Sequence, residues 1–82
     1  MHALVRTPLQ LGNQIREKRR KLGFSQEQLA TRVGVRQETL SVIESAGTAR
    51  VDTVLRILAA LDLELVVRTR TKSAETDIEA IF

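Results

Sequence analysis

Apolar residues recur at helical spacing through most of the chain, then switch to simple alternation near its end. Thr7-Pro8 opens the first helical stretch, with a capping hydroxyl followed by proline where a missing amide hydrogen costs nothing. Leu11, Ile15 and Leu22 follow at helical intervals and Gly23 supplies a left-handed stop, so the spacing predicts a helix over 8–22. Ser25 starts the next helix. With Gln28 three residues on it forms a capping box, each side chain satisfying the other's backbone amide. Leu29, Ala30 and Val33 give that helix a buried face, and Gly34 ends it after two turns. A third helix is expected over 37–45 with Leu40 and Ile43 inward. Arg36 precedes it, where a small capping side chain is the norm. Ser45–Thr48 reads as a turn. A fourth helix over 51–61 is expected to bury Val51, Val54, Leu55, Leu58 and Leu61. From Leu63 to Thr69 the period changes: Leu63, Leu65 and Val67 alternate with Glu64, Val66 and Arg68, and the β-branched content predicts a strand.

Eighty-two residues make one domain with a small core, which needs a staple to be stable. Cysteine is absent, which excludes disulfides and thiolate metal sites and fits a reducing cytosol. The single histidine, His2, stands alone near the N-terminus and gives no metal site, since such sites need three or four clustered ligands. No cofactor is expected. No apolar run approaches the ~20 residues of a membrane span, and no signal-peptide pattern opens the chain; a cytoplasmic location, at the nucleoid, is expected. Oligomerisation is the staple that remains.

Charge divides the chain. Residues 1–72 carry all 13 Lys and Arg against 7 acids, leaving +6, whereas residues 73–82 hold three acids and no base. A basic body suits a polyanion, and an acidic end suits some other role.

Residues Gln26–Ser45 carry the most specific pattern. Two short helices that cross steeply need a small residue where their backbones meet and a positive-φ residue at the turn. Ala30 and Gly34 stand in those places, and Val35, Leu40 and Ile43 complete the small core that fixes the angle. That is a helix-turn-helix. A plain helical hairpin would not need polar Gln37, Glu38, Thr39 and Ser41 opposite Leu40 and Ile43; such short hydrogen-bonding side chains suit a groove of paired bases. Within Lys18-Arg19-Arg20-Lys21, Lys18 and Lys21 read as a solvated face, with phosphate contact as the alternative. Arg19, four residues after Ile15, and Glu44, four after Leu40, both fall on inward stripes. Two opposite charges on core faces imply that they pair.

From Thr7 to Val67 the chain resembles the lambda-repressor-like (XRE) family, and within it the HipB-type antitoxins of type II toxin–antitoxin systems. The broad resemblance rests on Leu22-Gly23-Phe24-Ser25-Gln26, Gln28-Leu29-Ala30, and Gly34-Val35 followed by Gln37 and Thr39. The narrower one rests on Thr7-Pro8 and on Arg56-Ile57-Leu58 leading to Leu61-Asp62-Leu63-Glu64-Leu65. The resemblance implies that Gln26 meets a DNA phosphate, and that Arg36, Gln37, Glu38, Ser41 and Val42 face the major groove, with Thr39 on the same helix. A DNA-directed Arg36 would account for the missing cap. Glu38 would either accept from a cytosine amino group or be repelled by phosphate, and Val42 would touch a thymine methyl. The resemblance implies the Arg19–Glu44 pair as well.

A lone strand leaves unpaired edges. Either Leu63, Leu65, Val66 and Val67 form an antiparallel ribbon with a two-fold related copy, or the edge packs on its own helices. The ribbon is what HipB-like proteins use, and a dimer matches a palindromic operator. Beyond it, Ile78, Ile81 and Phe82 are the last large apolar residues; they are either a disordered end or a segment that orders on a partner. In the family that partner is a HipA-type serine/threonine kinase toxin.

The expected architecture is therefore all-α: a compact four-helix lambda-repressor-like DNA-binding domain, with one C-terminal β-strand pairing across a dimer and then a flexible tail. Residues 1–70 form the DNA-binding and dimerisation domain and 71–82 the acidic tail. The expected function is operator-bound repression by an antitoxin homodimer. A stand-alone XRE-family regulator is the alternative. An enzyme is disfavoured, because no triad, phosphate-cradling loop or metal cluster is visible.

Overall fold

Each helix starts where the sequence supplies a partner for its first amides or does without one. The computed structural model describes residues 3–70 and holds four helices there: α1 Pro8–Lys21, α2 Gln26–Val33, α3 Gln37–Ala46 and α4 Val51–Ala60. At α1, Thr7 Oγ1 accepts from the Gln10 amide at 3.2 Å, and Gln10 Oε1 accepts from the Thr7 amide at 3.1 Å. This closes a capping box whose second half, Gln10, the sequence reading passes over. The Ser25–Gln28 box at α2 forms as expected, with bonds of 2.8 and 3.0 Å. Gly34 ends α2 in the left-handed region at φ 86°, and its amide and that of Val35 both donate to the Ala30 carbonyl.

Nine residues of the four helices and Leu61, just past α4, make the core: Ile15, Leu29, Ala30, Val33, Leu40, Ile43, Val54, Ile57, Leu58 and Leu61. Leu11, Phe24, Val35 and Leu63 pack against it. α3 lies on both α1 and α2, and α2 also packs on α4. Arg56 Nη1 donates to the Val33 carbonyl at 3.1 Å, tying α4 to the end of α2. No helix among the described residues is long and apolar enough to cross a membrane.

Three expected core positions prove exposed. Leu22, the cap residue beyond α1, is 45% exposed. Val51 (70%) begins α4 and Leu55 (45%) faces a shallow groove with Val5, Pro8, Leu11 and Leu65. The buried face of α4 instead runs through Val54, Ile57, Leu58 and Leu61, turned from the expected one by part of a helical step.

After α4 the chain reverses at Asp62, which takes a left-handed φ of 59°, and the Leu63 amide donates back to the Leu58 carbonyl at 2.8 Å. Residues 63–70 then carry neither helix nor strand, so the expected strand has no ladder within the described residues. The expected tail residues Ile78, Ile81 and Phe82 lie outside them.

α1 and α3 approach at backbone level. A Cβ at Gly12 would stand 2.5 Å from the Ile43 carbonyl oxygen and 2.6 Å from that of Glu44. Glycine in a helix interior ordinarily costs about 1 kcal/mol relative to alanine, so here the close approach explains it. Gly12→Ala is therefore expected to lose about 1–3 kcal/mol by overpacking, against the gain that propensity alone predicts. Thermal melts check this, at about 4–8 °C per kcal/mol for a domain of this size; a rise in Tm would contradict the contact.

Candidate nucleic-acid interface

α3 has two unlike sides. Leu40, Ile43 and Glu44 are buried, while Gln37, Glu38, Ser41, Val42 and Ser45 are exposed. At 3.6 residues per turn those five share one face. Thr39 is also exposed but sits on the flank beside Ile43, apart from that face. Arg36, the N-cap residue, is exposed and makes no side-chain cap bond, leaving its guanidinium at the leading end of the helix. Val42 is 53% exposed, an apolar side chain in the middle of a polar surface. Ser45, expected to open a turn, instead lies in the last turn of α3, which runs to Ala46, and its hydroxyl donates to the Val42 carbonyl at 3.3 Å.

The inward side of α3 is anchored by charge. Arg19 Nε donates to Glu44 Oε2 at 2.6 Å and its Nη2 to Oε1 at 3.1 Å, with Arg19 only 7% exposed and Glu44 fully buried. The same guanidinium gives Nη1 to the Phe24 carbonyl at 2.8 Å, bracing the turn before α2. Parallel N–H bonds of this kind fix orientation as well as charge.

Gln26 is half-buried at the first position of α2, and its Nε2 donates to Glu44 Oε1 at 3.1 Å. The sequence places Gln26 at a phosphate but not on Glu44. A fourth group, Arg16, has Nε 3.8 Å from the same oxygen; its spacing of three residues from Arg19 is the signal that could have found it. The rest of the basic run stays outside: Lys18 is half-buried and Arg20 and Lys21 are exposed. Arg32 lies 5.1 Å over the Phe24 ring, a cation–π contact on the outer side of α2.

Leu65, Val66 and Val67 are 58%, 68% and 91% exposed, whereas Leu63 is turned toward the core. Of the candidate dimer residues, Leu63 thus packs on its own helices and Leu65 borders the groove with Leu55 and Leu11, while Val66 and Val67 present apolar side chains to solvent.

A short helix with a bare polar face, braced by a second helix across a glycine turn, defines a DNA-binding regulator. Residues 15–67 match the model of the helix-turn-helix family, and the chain belongs to that family, as an XRE-type domain similar to HipB. No match is found among curated proteins. Solved structures agree. HipB in a HipA–HipB–O2–O3 complex is 27% identical, with a TM-score of 0.76 over 85% of this chain and 100% of that one. The restriction-modification controller protein C.AhdI from Aeromonas hydrophila is 29% identical, with a TM-score of 0.66 over 70% of this chain and 88% of that one. SinR, the master regulator for biofilm formation, in complex with DNA, is 28% identical, with a TM-score of 0.62 over 66% and 89%.

Removing one partner of a buried pair leaves an uncompensated charge, at a cost of about 3–5 kcal/mol. Glu44→Ala and Arg19→Ala should each lose that much, and the double variant far less than the two together. Denaturant titrations of all three give the coupling; additive losses would mean that the pair does not form in solution.

Proposed function

We propose that this regulator is the antitoxin of a HipA-type serine/threonine kinase toxin, and that it represses its own operon as a cytoplasmic homodimer on palindromic DNA. The observation that carries this reading is the likeness to HipB over the whole of that chain, in a complex that also holds HipA. In this reading Gln37, Glu38, Ser41 and Val42 read base edges in the major groove, with Arg36 at the helix start and Thr39 on the flank. Gln26 takes a backbone phosphate. Phosphate contacts fix register and base-edge contacts supply sequence preference.

The dimer in this proposal forms through Leu63, Leu65, Val66 and Val67, a second copy supplying the ladder partner. The exposed apolar side chains there support it, since a second copy would take them out of water. The acidic residues 73–82, with Ile78, Ile81 and Phe82, are proposed to meet the toxin, because phosphate would repel them and a basic surface with an apolar pocket would not. A second reading, a regulator without a toxin, is favoured by the likeness to the controller protein and to SinR. Co-purification with the product of the neighbouring gene separates the two: capture of a kinase-like protein supports the antitoxin, and any other outcome supports the stand-alone regulator.

Gln37→Ala should lose about 1–3 kcal/mol on the operator and little on a scrambled duplex. Fluorescence titrations with both duplexes measure the difference; equal losses would remove Gln37 from base reading. Deleting residues 73–82 should spare operator affinity and weaken, without abolishing, binding to the kinase. Three buried apolar side chains contribute about 1.5–3 kcal/mol each, much of it offset by ordering ten residues. Calorimetry of both chain lengths decides, and identical affinities would take the tail out of the toxin interface.

A further inference from the structure

Arg16 is a guanidinium that the fold positions but does not use. Arg19 already gives Glu44 two hydrogen bonds and Gln26 gives a third. Arg16 Nε, at 3.8 Å from Glu44 Oε1, is beyond bonding distance. Its side chain is 39% exposed, and no hydrogen bond from it occurs among the described residues. Two guanidiniums around one carboxylate leave a surplus positive charge, and the half-exposed Arg16 carries it to the surface.

Gln26 stands beside it in a fixed orientation. A carboxylate only accepts, so the amide nitrogen of Gln26, not its oxygen, must face Glu44. One amide hydrogen is thereby committed and the other is free for an outside acceptor. Because Gln26 Nε2 and Arg16 Nε both approach the same oxygen, at 3.1 and 3.8 Å, they lie at most about 7 Å apart. With N–H···O bonds of about 2.9 Å, two such donors reach two oxygens of one phosphate group.

We infer that Arg16 and Gln26 form a single seat for one backbone phosphate of DNA, with the buried Glu44 as the post that orients both. The inference rests on the DNA-binding reading and adds to it a charged residue from α1. It also gives the weak Arg16–Glu44 approach a purpose. At 3.8 Å from a carboxylate already satisfied by closer donors it adds little to folding, but as a tether it holds a long side chain near where the phosphate arrives and so lowers the ordering cost of binding. The seat is indifferent to base sequence, and it sets how deeply α3 enters the groove.

The test uses the full chain with operator and scrambled duplexes over a range of KCl concentrations. Arg16→Gln should reduce the slope of log affinity against log salt by about 0.9, the value of one phosphate, and equally on both duplexes. Arg16→Lys should keep the slope. Arg20→Gln, exposed on the same helix, should change it less. Combined with Gln26→Ala, Arg16→Gln should lose less affinity than the two single losses together, because both act on one phosphate. An unchanged slope for Arg16→Gln, or strictly additive losses, overturns the inference while leaving DNA binding intact. A flat salt dependence of the unaltered chain overturns the DNA reading itself. Inorganic phosphate at matched ionic strength distinguishes a free anion from the DNA backbone. If phosphate raises the Tm of the unaltered chain while Arg16→Gln leaves the DNA slope untouched, the seat belongs to the free anion and the inference fails. Melts of each variant confirm folding, which the half-exposed Arg16 side chain without hydrogen bonds does not support; Gln26→Ala gives up its bond to Glu44, and its melt shows whether the fold survives that loss.

Discussion

The carboxylate of Glu44 is the point on which the rest of the structure turns. It has no contact with solvent, yet it joins three helices: its own α3, α1 through Arg19, and α2 through Gln26. Through the second arm of Arg19 it also reaches the Phe24 carbonyl and hence the turn between α1 and α2. Desolvating two charges costs several kcal/mol per ion, and an apolar pair of similar volume is often as stable. What an apolar pair lacks is direction. Two N–H bonds to one carboxylate admit essentially one rotation of α3 about its axis, and that rotation decides which side chains look outward.

Backbone proximity adds a second constraint. Gly12 lets α1 rest directly on the last turn of α3, and at Gly47 any side chain would collide with the Pro8 backbone. α3 is thus held at its inner face by the ion pair and along its later half by main chain. Arg56 adds the remaining link, binding the Val33 carbonyl where the negative end of α2 favours a cation. The two helices of the DNA-binding motif, the helix before them and the helix after them are therefore mutually fixed, and the proposed dimer segment begins three residues beyond α4.

Much of this was legible in the residues. Capping chemistry at Thr7 and Ser25 and the glycine stops located the first two helices to within a residue, and the paired inward charges of Arg19 and Glu44 announced their contact. The face of α4 was not legible, because apolar residues occupy nearly every position from Val54 to Leu61 and periodicity then has no polar side to measure against. Leu22 continues the helical stripe in its backbone, its amide still bonded to the Lys18 carbonyl, but spacing does not say where the core ends along a helix. Gly12 escaped because a close backbone approach is encoded by a missing side chain. The alternation over 63–69 is a real pattern, but a ladder needs a partner strand, which a pattern within one chain does not name. At the candidate interface the exposed face was readable from helical spacing, whereas Arg16 and the Gln26–Glu44 bond depend on how helices cross, which spacing does not contain.

The two sides of α3 divide labour in a way that bears on how such a protein diverges. Among the described residues, the side chains of Gln37, Glu38, Ser41 and Val42 take part in no hydrogen bond and none is buried, while everything that holds the helix lies on the opposite side. Substitutions at these four sites are therefore free of the compensating changes that interior positions demand, and surface replacements of this kind typically alter stability by no more than about half a kcal/mol. On the proposed base-reading role of these four side chains, one copy can drift to a new target sequence after a gene duplication while its scaffold stays as it was. Common ancestry of fold in this family then carries no inheritance of operator sequence, and related chains can share one cell without answering to the same promoters.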